Sequence, residues 1–134
     1  MNDQPSRDTP HLLLVEDEPD TAELVTLIMK EQGYHVVHAP DGQVALEKIA
    51  LMPAPSLVLL YIQLPHVDGV AILETIRATP DWEHVPVVML TGVTDPQSIK
   101  KAAALKVQEY VLKPFKRETL LSYVERARTR SAHP

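Results

Sequence analysis

Four short apolar runs in this chain of 134 residues each end at side chains that could take part in chemistry. The first run is followed by the acidic residues 16–18, the second by Tyr61, the third by Thr91 and the fourth by Lys113. A continuous apolar run of this length is typical of a strand buried on both faces of a parallel sheet. Because parallel strands end at one shared edge, we expect an acid pair, a phenol, a hydroxyl and an ammonium group to meet there.

Each of these groups has a possible chemical role and a plainer explanation. Glu16 and Asp17 could hold a hard divalent cation such as Mg²⁺, which prefers oxygen ligands, or they could form a solvated acidic turn at a helix N-terminus. Thr91 could donate to an anion, or it could be a strand-end residue whose hydroxyl is satisfied locally. Lys113 could neutralise developing negative charge, or it could be a surface lysine beside the turn proline Pro114.

Strand-type runs alternate with helical patterns along the chain, which predicts a parallel sheet covered by helices on both faces. The first helix is expected to follow the acidic cluster and to end at Gly33. Its predicted apolar face consists of four residues, Leu24, Val25, Ile28 and Met29. We predict a five-stranded, doubly wound α/β sandwich whose ligand site lies at the carboxyl ends of the strands.

Two further strands and one helix start are predicted with defined bounds. The second strand is expected over residues 34–39 and the fourth over residues 85–90. Thr94 is a candidate N-cap for a following helix with Pro96 in its first turn.

Length and composition favour one domain, predicted over residues 11–130 with disordered fringes at 1–10 and 131–134. The formal net charge of −5 argues against nucleic acid or an anionic membrane as a main partner. The absence of cysteine excludes disulfides and thiolate metal sites. The six histidines show no zinc spacing. With no apolar stretch long enough to span a bilayer and no hydrophobic leader at the start, we expect a cytoplasmic protein.

The segments LLLVEDEPD, LVLLYIQLPHVDG, VVMLTG and YVLKPF, in this order, resemble the receiver domain of bacterial response regulators. The resemblance covers about residues 11–130. Thr91 lies 30 positions after Tyr61 and Lys113 lies 52 positions after it, the spacing that the family uses from its acceptor aspartate. The resemblance implies a flavodoxin-like sheet with the strand order 2-1-3-4-5.

The resemblance also implies roles for individual residues. Position 61 would be the phosphoryl acceptor, which is an aspartate in the family and a tyrosine here. Glu16, Asp17 and the backbone carbonyl of Gln63 would belong to an ancestral Mg²⁺ site. Thr91 and Lys113 would contact the phosphoryl oxygens.

Two further features follow from the resemblance. Thr91 and Tyr110 would form the conformational switch of the domain. A cis peptide bond is implied between Lys113 and Pro114.

Tyr61 changes what this site can be expected to do. A phenol has an ordinary pKa near 10 and is a weak nucleophile at neutral pH without a base. It supplies no anionic oxygen to a metal, so we expect Mg²⁺ binding to be weak or absent and no resident cofactor. We further expect the ring to fill part of the site and its hydroxyl to reach Lys113, Thr91 or an acidic neighbour.

The leading interpretation is a receiver module of two-component signalling that is not phosphorylated on Tyr61 and acts by binding proteins. Its partner would be a histidine kinase, another regulator or a second copy, docked on the face of the fourth helix, fifth strand and fifth helix or near the first helix. The alternative is an ordinary Mg²⁺-dependent phospho-acceptor seen as an Asp→Tyr variant or using another acceptor. DNA binding or independent enzymatic activity has no motif behind it, so we predict that the protein is not an enzyme.

Overall fold

Five strands and five helices alternate along the chain in the computed structural model, which describes residues 9–62, 64, 67–92 and 96–132. The strands are β1 His11–Val15, β2 His35–Ala39, β3 Leu57–Tyr61, β4 Val87–Thr91 and β5 Glu109–Leu112. The helices are α1 Pro19–Glu31, α2 Gly42–Leu51, α3 Gly69–Ala78, α4 Pro96–Ala104 and α5 Arg117–Ala132.

The strands form one parallel sheet in the order β2-β1-β3-β4-β5, which confirms the predicted doubly wound architecture. All residues of β3 and β4 are buried, as expected for central strands covered on both faces. Because successive side chains point to opposite faces, alternate residues enter two separate cores. Leu57, Leu59 and Tyr61 pack with α1 and α5, whereas Val58 and Leu60 pack with α2, α3 and α4.

Helix α1 begins and ends with well-formed caps. Glu18 is its N-cap and accepts hydrogen bonds from the backbone N–H groups of Asp20 and Thr21. At the other end Gly33 adopts a φ of 94°, a conformation that favours glycine and allows the chain to turn into β2. The predicted end of the helix at Gly33 is therefore confirmed.

One residue of the predicted apolar face of α1 does not reach the core. Val25, Ile28 and Met29 are buried, but Leu24 is 56% exposed. Leu27, one turn further along, is exposed to the same extent. The prediction for Leu24 was wrong because helical periodicity gives the direction of an apolar stripe but not how far the neighbouring helix covers its edge.

Element bounds differ slightly from the sequence prediction. The second strand begins at His35 rather than at residue 34, and the fourth spans Val87–Thr91 rather than residues 85–90. The candidate N-cap Thr94 lies outside the described residues, as do residues 1–8 and 133–134 of the predicted fringes. Helix α5 extends to Ala132, two residues into the predicted C-terminal fringe.

The half-buried guanidinium of Arg77 on α3 joins two loops at the far edge of the sheet. Its donors reach four backbone carbonyls and one side-chain amide, at distances of 2.8–3.1 Å: those of Glu83, Val85, Leu105, Lys106 and Gln108. These hydrogen bonds tie the loop between α3 and β4 to the turn between α4 and β5, in which Lys106 has a φ of 58°. Within the described ranges, no helix has the length and apolar character needed to cross a membrane.

Candidate functional site

The edge formed by the carboxyl ends of β1, β3 and β4 brings together most of the residues singled out from the sequence. Tyr61 is the last residue of β3 and Thr91 the last residue of β4. The backbone N–H of Lys113 donates to the carbonyl of Thr91 at 2.7 Å, so the chain that leaves β5 follows the end of β4. Glu16 directly follows β1, and its N–H donates to Ala39 at 3.1 Å. The peptide bond between Lys113 and Pro114 is cis, as the family resemblance implied.

The central contact of this edge joins Lys113 to the ring of Tyr61. The ammonium nitrogen of Lys113 lies 3.7 Å from the centroid of the ring, which is a cation–π arrangement. The same nitrogen lies 3.7 Å from Oε2 of Glu16. Tyr61 and Glu16 are 2% and 0% exposed, whereas the side chain of Lys113 keeps 32% of its surface accessible. The ammonium group thus rests on a buried ring and beside a buried carboxylate.

The hydroxyl of Tyr61 lies near Glu16 rather than near Lys113. Among the described residues, this buried oxygen has no hydrogen-bond partner, and neither does Oε2 of Glu16. Lys113 contacts the ring face instead of the hydroxyl. Glu16 nevertheless lies close enough to raise the pKa of the phenol. The hydroxyl therefore lies beside an acidic neighbour, one of the three expected contacts, without a hydrogen bond of normal geometry.

Burial raises the pKa of the Tyr61 phenol well above its ordinary value, and the negative charge of Glu16 raises it further. Both causes disfavour the phenolate, which is the nucleophilic form of the side chain. The phenol is therefore neutral at physiological pH and is not activated for attack.

The two oxygens of the fully buried Glu16 carboxylate have different neighbours. Oε1 accepts the backbone N–H of Glu18 at 2.9 Å, while Oε2 faces Lys113. Burial raises the pKa of Glu16, and the hydrogen bond from Glu18 and the charge of Lys113 oppose that effect in part. The charge of Lys113 is thus the counter-charge that the structure supplies to this carboxylate.

The remaining members of the predicted cation site are arranged differently. Asp17 is exposed, and its charge acts on Glu16 by raising the pKa of that carboxyl. Glu18 is used as the N-cap of α1, and its hydrogen bonds to Thr21 lower its pKa. Gln63 lies outside the described residues.

The donor set does not fit a divalent cation. Within the part of the chain that the structure describes, no group of three histidine or acidic side chains could hold a metal ion. Tyr61 offers no anionic oxygen, and the ammonium of Lys113 lies where Glu16 would otherwise need a cation. We therefore derive no chemistry through Mg²⁺ at this edge.

The two predicted switch residues lie on the opposite face of the sheet from the Tyr61 ring. Tyr110 is half-buried and packs against the core under α2, α3 and α4. It pairs with Met89 in the register of β4 and β5, two residues before Thr91 on the same face. Thr91 is 1% exposed. Both residues therefore lie on the same face of the sheet, and their switch role stays a prediction.

Two residues that shape the site were not singled out from the sequence. His38 on β2 contacts the backbone carbonyl oxygen of Glu16 through Nε2 at 2.8 Å. Gly69 at the start of α3 packs against the carbonyl of Tyr61, where an added Cβ would lie only 2.5 Å from that oxygen. The motif Asp68-Gly69 indicated a helix start, but the close approach behind Tyr61 depends on tertiary packing.

Comparison with known proteins identifies one family. The family described as response regulator receiver domain matches residues 12–125. The DNA-binding response regulator MtrA of Mycolicibacterium smegmatis is 35% identical over 119 residues, which are 89% of this chain and 50% of that protein. This chain therefore spans about half the length of that curated relative.

Solved structures agree with this match. The signal receiver domain of a signal transduction histidine kinase from Syntrophus aciditrophicus is 29% identical, with a TM-score of 0.81, and covers 93% of this chain and 94% of its own. The receiver domain of a sensor histidine kinase from Pseudomonas aeruginosa, with magnesium coordinated in its active-site cleft, is 27% identical with a TM-score of 0.79. It covers 90% of this chain and 98% of its own.

Proposed function

This chain belongs to the response regulator receiver domain family, and on that premise we propose that it is a two-component signalling module that takes no phosphoryl group on residue 61 and acts through contacts with other proteins. The observation that carries the proposal is the buried Tyr61 ring with the Lys113 ammonium 3.7 Å from its centroid. Lys113 is the group that the family resemblance assigns to the incoming phosphoryl oxygens. In this structure the Lys113 ammonium instead contacts the ring of Tyr61 and faces the carboxylate of Glu16.

The chemistry of the phenol supports the absence of phosphoryl transfer. A nucleophile must be deprotonated or placed beside a base, and the pKa of Tyr61 is raised by burial and by Glu16. The hydroxyl is also inaccessible to solvent. We accordingly propose that the chain has no enzymatic activity of its own, that no cofactor is resident and that Mg²⁺ binds weakly or not at all.

Exposed apolar side chains support protein binding as the mode of action. Leu24 and Leu27 are each 56% exposed on α1. Leu112 at the end of β5 is 47% exposed and Ile99 on α4 is 38% exposed. Exposed apolar groups on one element favour a protein partner once they form a patch. We propose a histidine kinase or another signalling protein on α1, and a second copy or a regulator on the face of α4, β5 and α5.

The relatives leave the output of this chain to experiment. MtrA is named as a DNA-binding regulator, and this chain spans only half of its length. With a net charge of −5, we propose that the described domain binds neither nucleic acid nor membranes and works in the cytoplasm.

A second candidate function is an ordinary phospho-acceptor that is seen here as an Asp→Tyr variant. The observation that favours it is the retained surroundings of residue 61, with Glu16 and Lys113 in contact and Thr91 at the same edge. If Tyr61 alone silences the site, restoring the carboxylate should restore cation binding. Two carboxylates beside one ammonium leave a net negative charge, which a divalent cation would neutralise.

One experiment separates these functions. Amide chemical shifts of this chain and of its Tyr61→Asp variant are followed during addition of Mg²⁺ and then beryllofluoride, a mimic of a phosphoryl group. We expect no saturable change near Glu16, Thr91 and Lys113 in the chain as it stands and a clear response in the variant. A response of the unaltered chain would overturn the proposal of an inert site. Silence of both proteins would remove the second candidate and leave protein binding alone.

A further inference from the structure

The charges of this chain are divided unevenly between two parts of the molecule. Residues 16–31, which include α1, contain six acidic residues and one basic residue. Residues 96–117, which include α4 and β5, contain six basic residues and one acidic residue. Because α1 packs against β2 at one edge of the sheet and β5 forms the other edge, the two segments lie on opposite sides of the domain. The domain therefore has an acidic side and a basic side.

The acidic side presents apolar groups together with its carboxylates. Leu24 and Leu27 are each 56% exposed on α1, and Asp20 and Glu23 are exposed on the same helix. These four residues follow one another at spacings of three and four positions, so they share one side of the helix. We call them the α1 surface. Lys30, one turn further along, marks its end.

The basic side contains an apolar groove with lysines around it. This β5 groove lies between the end of β5 and the start of α5, has a volume of about 450 Å³, and is lined in part by Leu112, Phe115 and Lys116. Leu112 is 47% exposed. Lys116 is exposed, as are Lys100 and Lys101 on the neighbouring α4. Within the described ranges, none of these three lysines pairs with a carboxylate.

Neither surface complements itself, but each complements the other. A two-fold contact between copies brings one surface against the same surface, which would place carboxylates against carboxylates or lysines against lysines. Such contacts between like charges are unfavourable. The α1 surface and the β5 groove instead combine protruding apolar side chains with an apolar groove, and carboxylates with lysines. Charge complementarity thus favours a contact between unlike surfaces of two copies.

We propose that this protein associates head to tail, with the α1 surface of one copy docked in the β5 groove of the next. Leu24 and Leu27 enter the groove, while Asp20 and Glu23 face Lys116 and the lysines of α4. Each added copy leaves one surface of each kind unused, so association continues beyond the dimer. The inference rests on the proposed function, which assigns both surfaces to protein binding, and it names a second copy as the partner of both.

The test is sedimentation velocity of the full chain and of two double variants. The acidic-side variant carries Glu23→Lys and Leu27→Gln, and the basic-side variant carries Lys100→Glu and Lys116→Glu. We expect the mass of the unaltered chain to rise with concentration, and its apparent dissociation constant to increase about ten-fold when salt rises from about 0.05 M to 0.5 M. Each variant alone should be a monomer. An equimolar mixture should form a 1:1 dimer that grows no further, because each variant keeps the surface that the other lacks.

A matched control separates this contact from a general effect of charge and apolar exposure. Glu47→Lys with Leu51→Gln makes the same changes at the same spacing on α2, where Leu51 is 85% exposed, and should leave association unchanged. Unchanged urea midpoints establish that the variants are folded.

Three results would overturn the proposal. They are an unaltered chain that stays monomeric at every concentration, a dimer of either variant alone, and an equimolar mixture that stays monomeric. A dimer of one variant alone would indicate a two-fold contact instead. None of these results bears on the inert site at residue 61, which the titration with Mg²⁺ and beryllofluoride tests separately.

Discussion

Tyr61→Phe is expected to stabilise this protein, although removal of a polar atom from a site of polar residues usually does the reverse. The substitution removes only the hydroxyl, which is buried and has no hydrogen-bond partner in the described part of the chain. The ring and its contact with Lys113 at 3.7 Å remain in place. The folded state then no longer has to withdraw a hydroxyl from water without compensation.

The magnitude follows from the geometry of the site. Burying a hydroxyl without a partner costs about 1–3 kcal/mol, and partial rehydration through the exposed side of Lys113 lowers that figure. We expect the free energy of unfolding to rise by about 1 kcal/mol, which corresponds to roughly 4 °C in Tm for a domain of this size. Tyr61→Leu removes the ring as well, so it should destabilise the fold by about 2 kcal/mol through lost packing and the lost cation–π contact.

The assay is urea denaturation of the three proteins at neutral pH, followed by circular dichroism and analysed with a common m-value. Tyr123→Phe on the half-exposed helix α5 is the control, since its effect should stay within about 0.5 kcal/mol. A loss of 1 kcal/mol or more in Tyr61→Phe, of the order of one hydrogen bond, would refute the reasoning. It would mean that the hydroxyl donates to Glu16 in solution.

Three further predictions test other parts of the fold, with Gly33→Ala as the control for Gly69→Ala. Burial raises the pKa of Glu16 above 4.5, so the free energy of unfolding should fall as pH rises from 4.5 through the folded-state pKa of this carboxyl. Glu16→Gln should make the free energy of unfolding from urea titrations depend less on pH in this range. An unchanged pH dependence in the variant would contradict the prediction. Gly69→Ala places a Cβ 2.5 Å from the carbonyl oxygen of Tyr61, so it should lower the free energy of unfolding by about 3 kcal/mol and change the amide chemical shift of Tyr61. In Gly33→Ala the added Cβ meets no atom within 4 Å, so the positive φ alone should lower the free energy of unfolding by about 1 kcal/mol. In Arg77→Lys the lysine cannot reproduce the planar set of donors, so the free energy of unfolding should fall by about 2–4 kcal/mol and the amide chemical shifts of Leu105 and Lys106 should change. A fall of less than about 0.5 kcal/mol would mean that water satisfies the carbonyls which accept from Arg77.

Periodicity and strand-end chemistry were sufficient to predict the sheet and the edge at which Glu16, Tyr61, Thr91 and Lys113 meet. These inferences rest on local patterns, because an apolar run specifies a buried strand and parallel strands end at one edge. The exposure of Leu24 could not be read from the same pattern, since the pattern does not say how far neighbouring elements cover the edge of an apolar stripe. The hydrogen bonds of Arg77 to Leu105 and Lys106 could not be predicted from the sequence either, because they join segments that lie 28 and 29 positions apart along the chain.

The internal geometry of the site was the least predictable part. The sequence places Tyr61 near Lys113, but whether the ammonium meets the hydroxyl or the ring face depends on side-chain conformation and packing. Tyr61 belongs to the buried cluster that contains Leu59 and Leu90, so its ring lies along the core and leaves its face toward Lys113. An aspartate at the same position has no ring to bury, and its carboxylate would have to remain hydrated or bind a cation.

Charge balance explains how one residue decides the state of this site. Glu16 is fully buried, and a buried carboxylate requires a counter-charge nearby. With Tyr61 in place, Lys113 supplies that charge, and the pair is electrically neutral without a metal. With an aspartate at position 61, the same ammonium would face two carboxylates, next to the exposed Asp17 that is present in either case. The excess negative charge would then favour a divalent cation, so the affinity of the Tyr61→Asp variant for Mg²⁺ tests whether the cation site implied by the family resemblance can be restored.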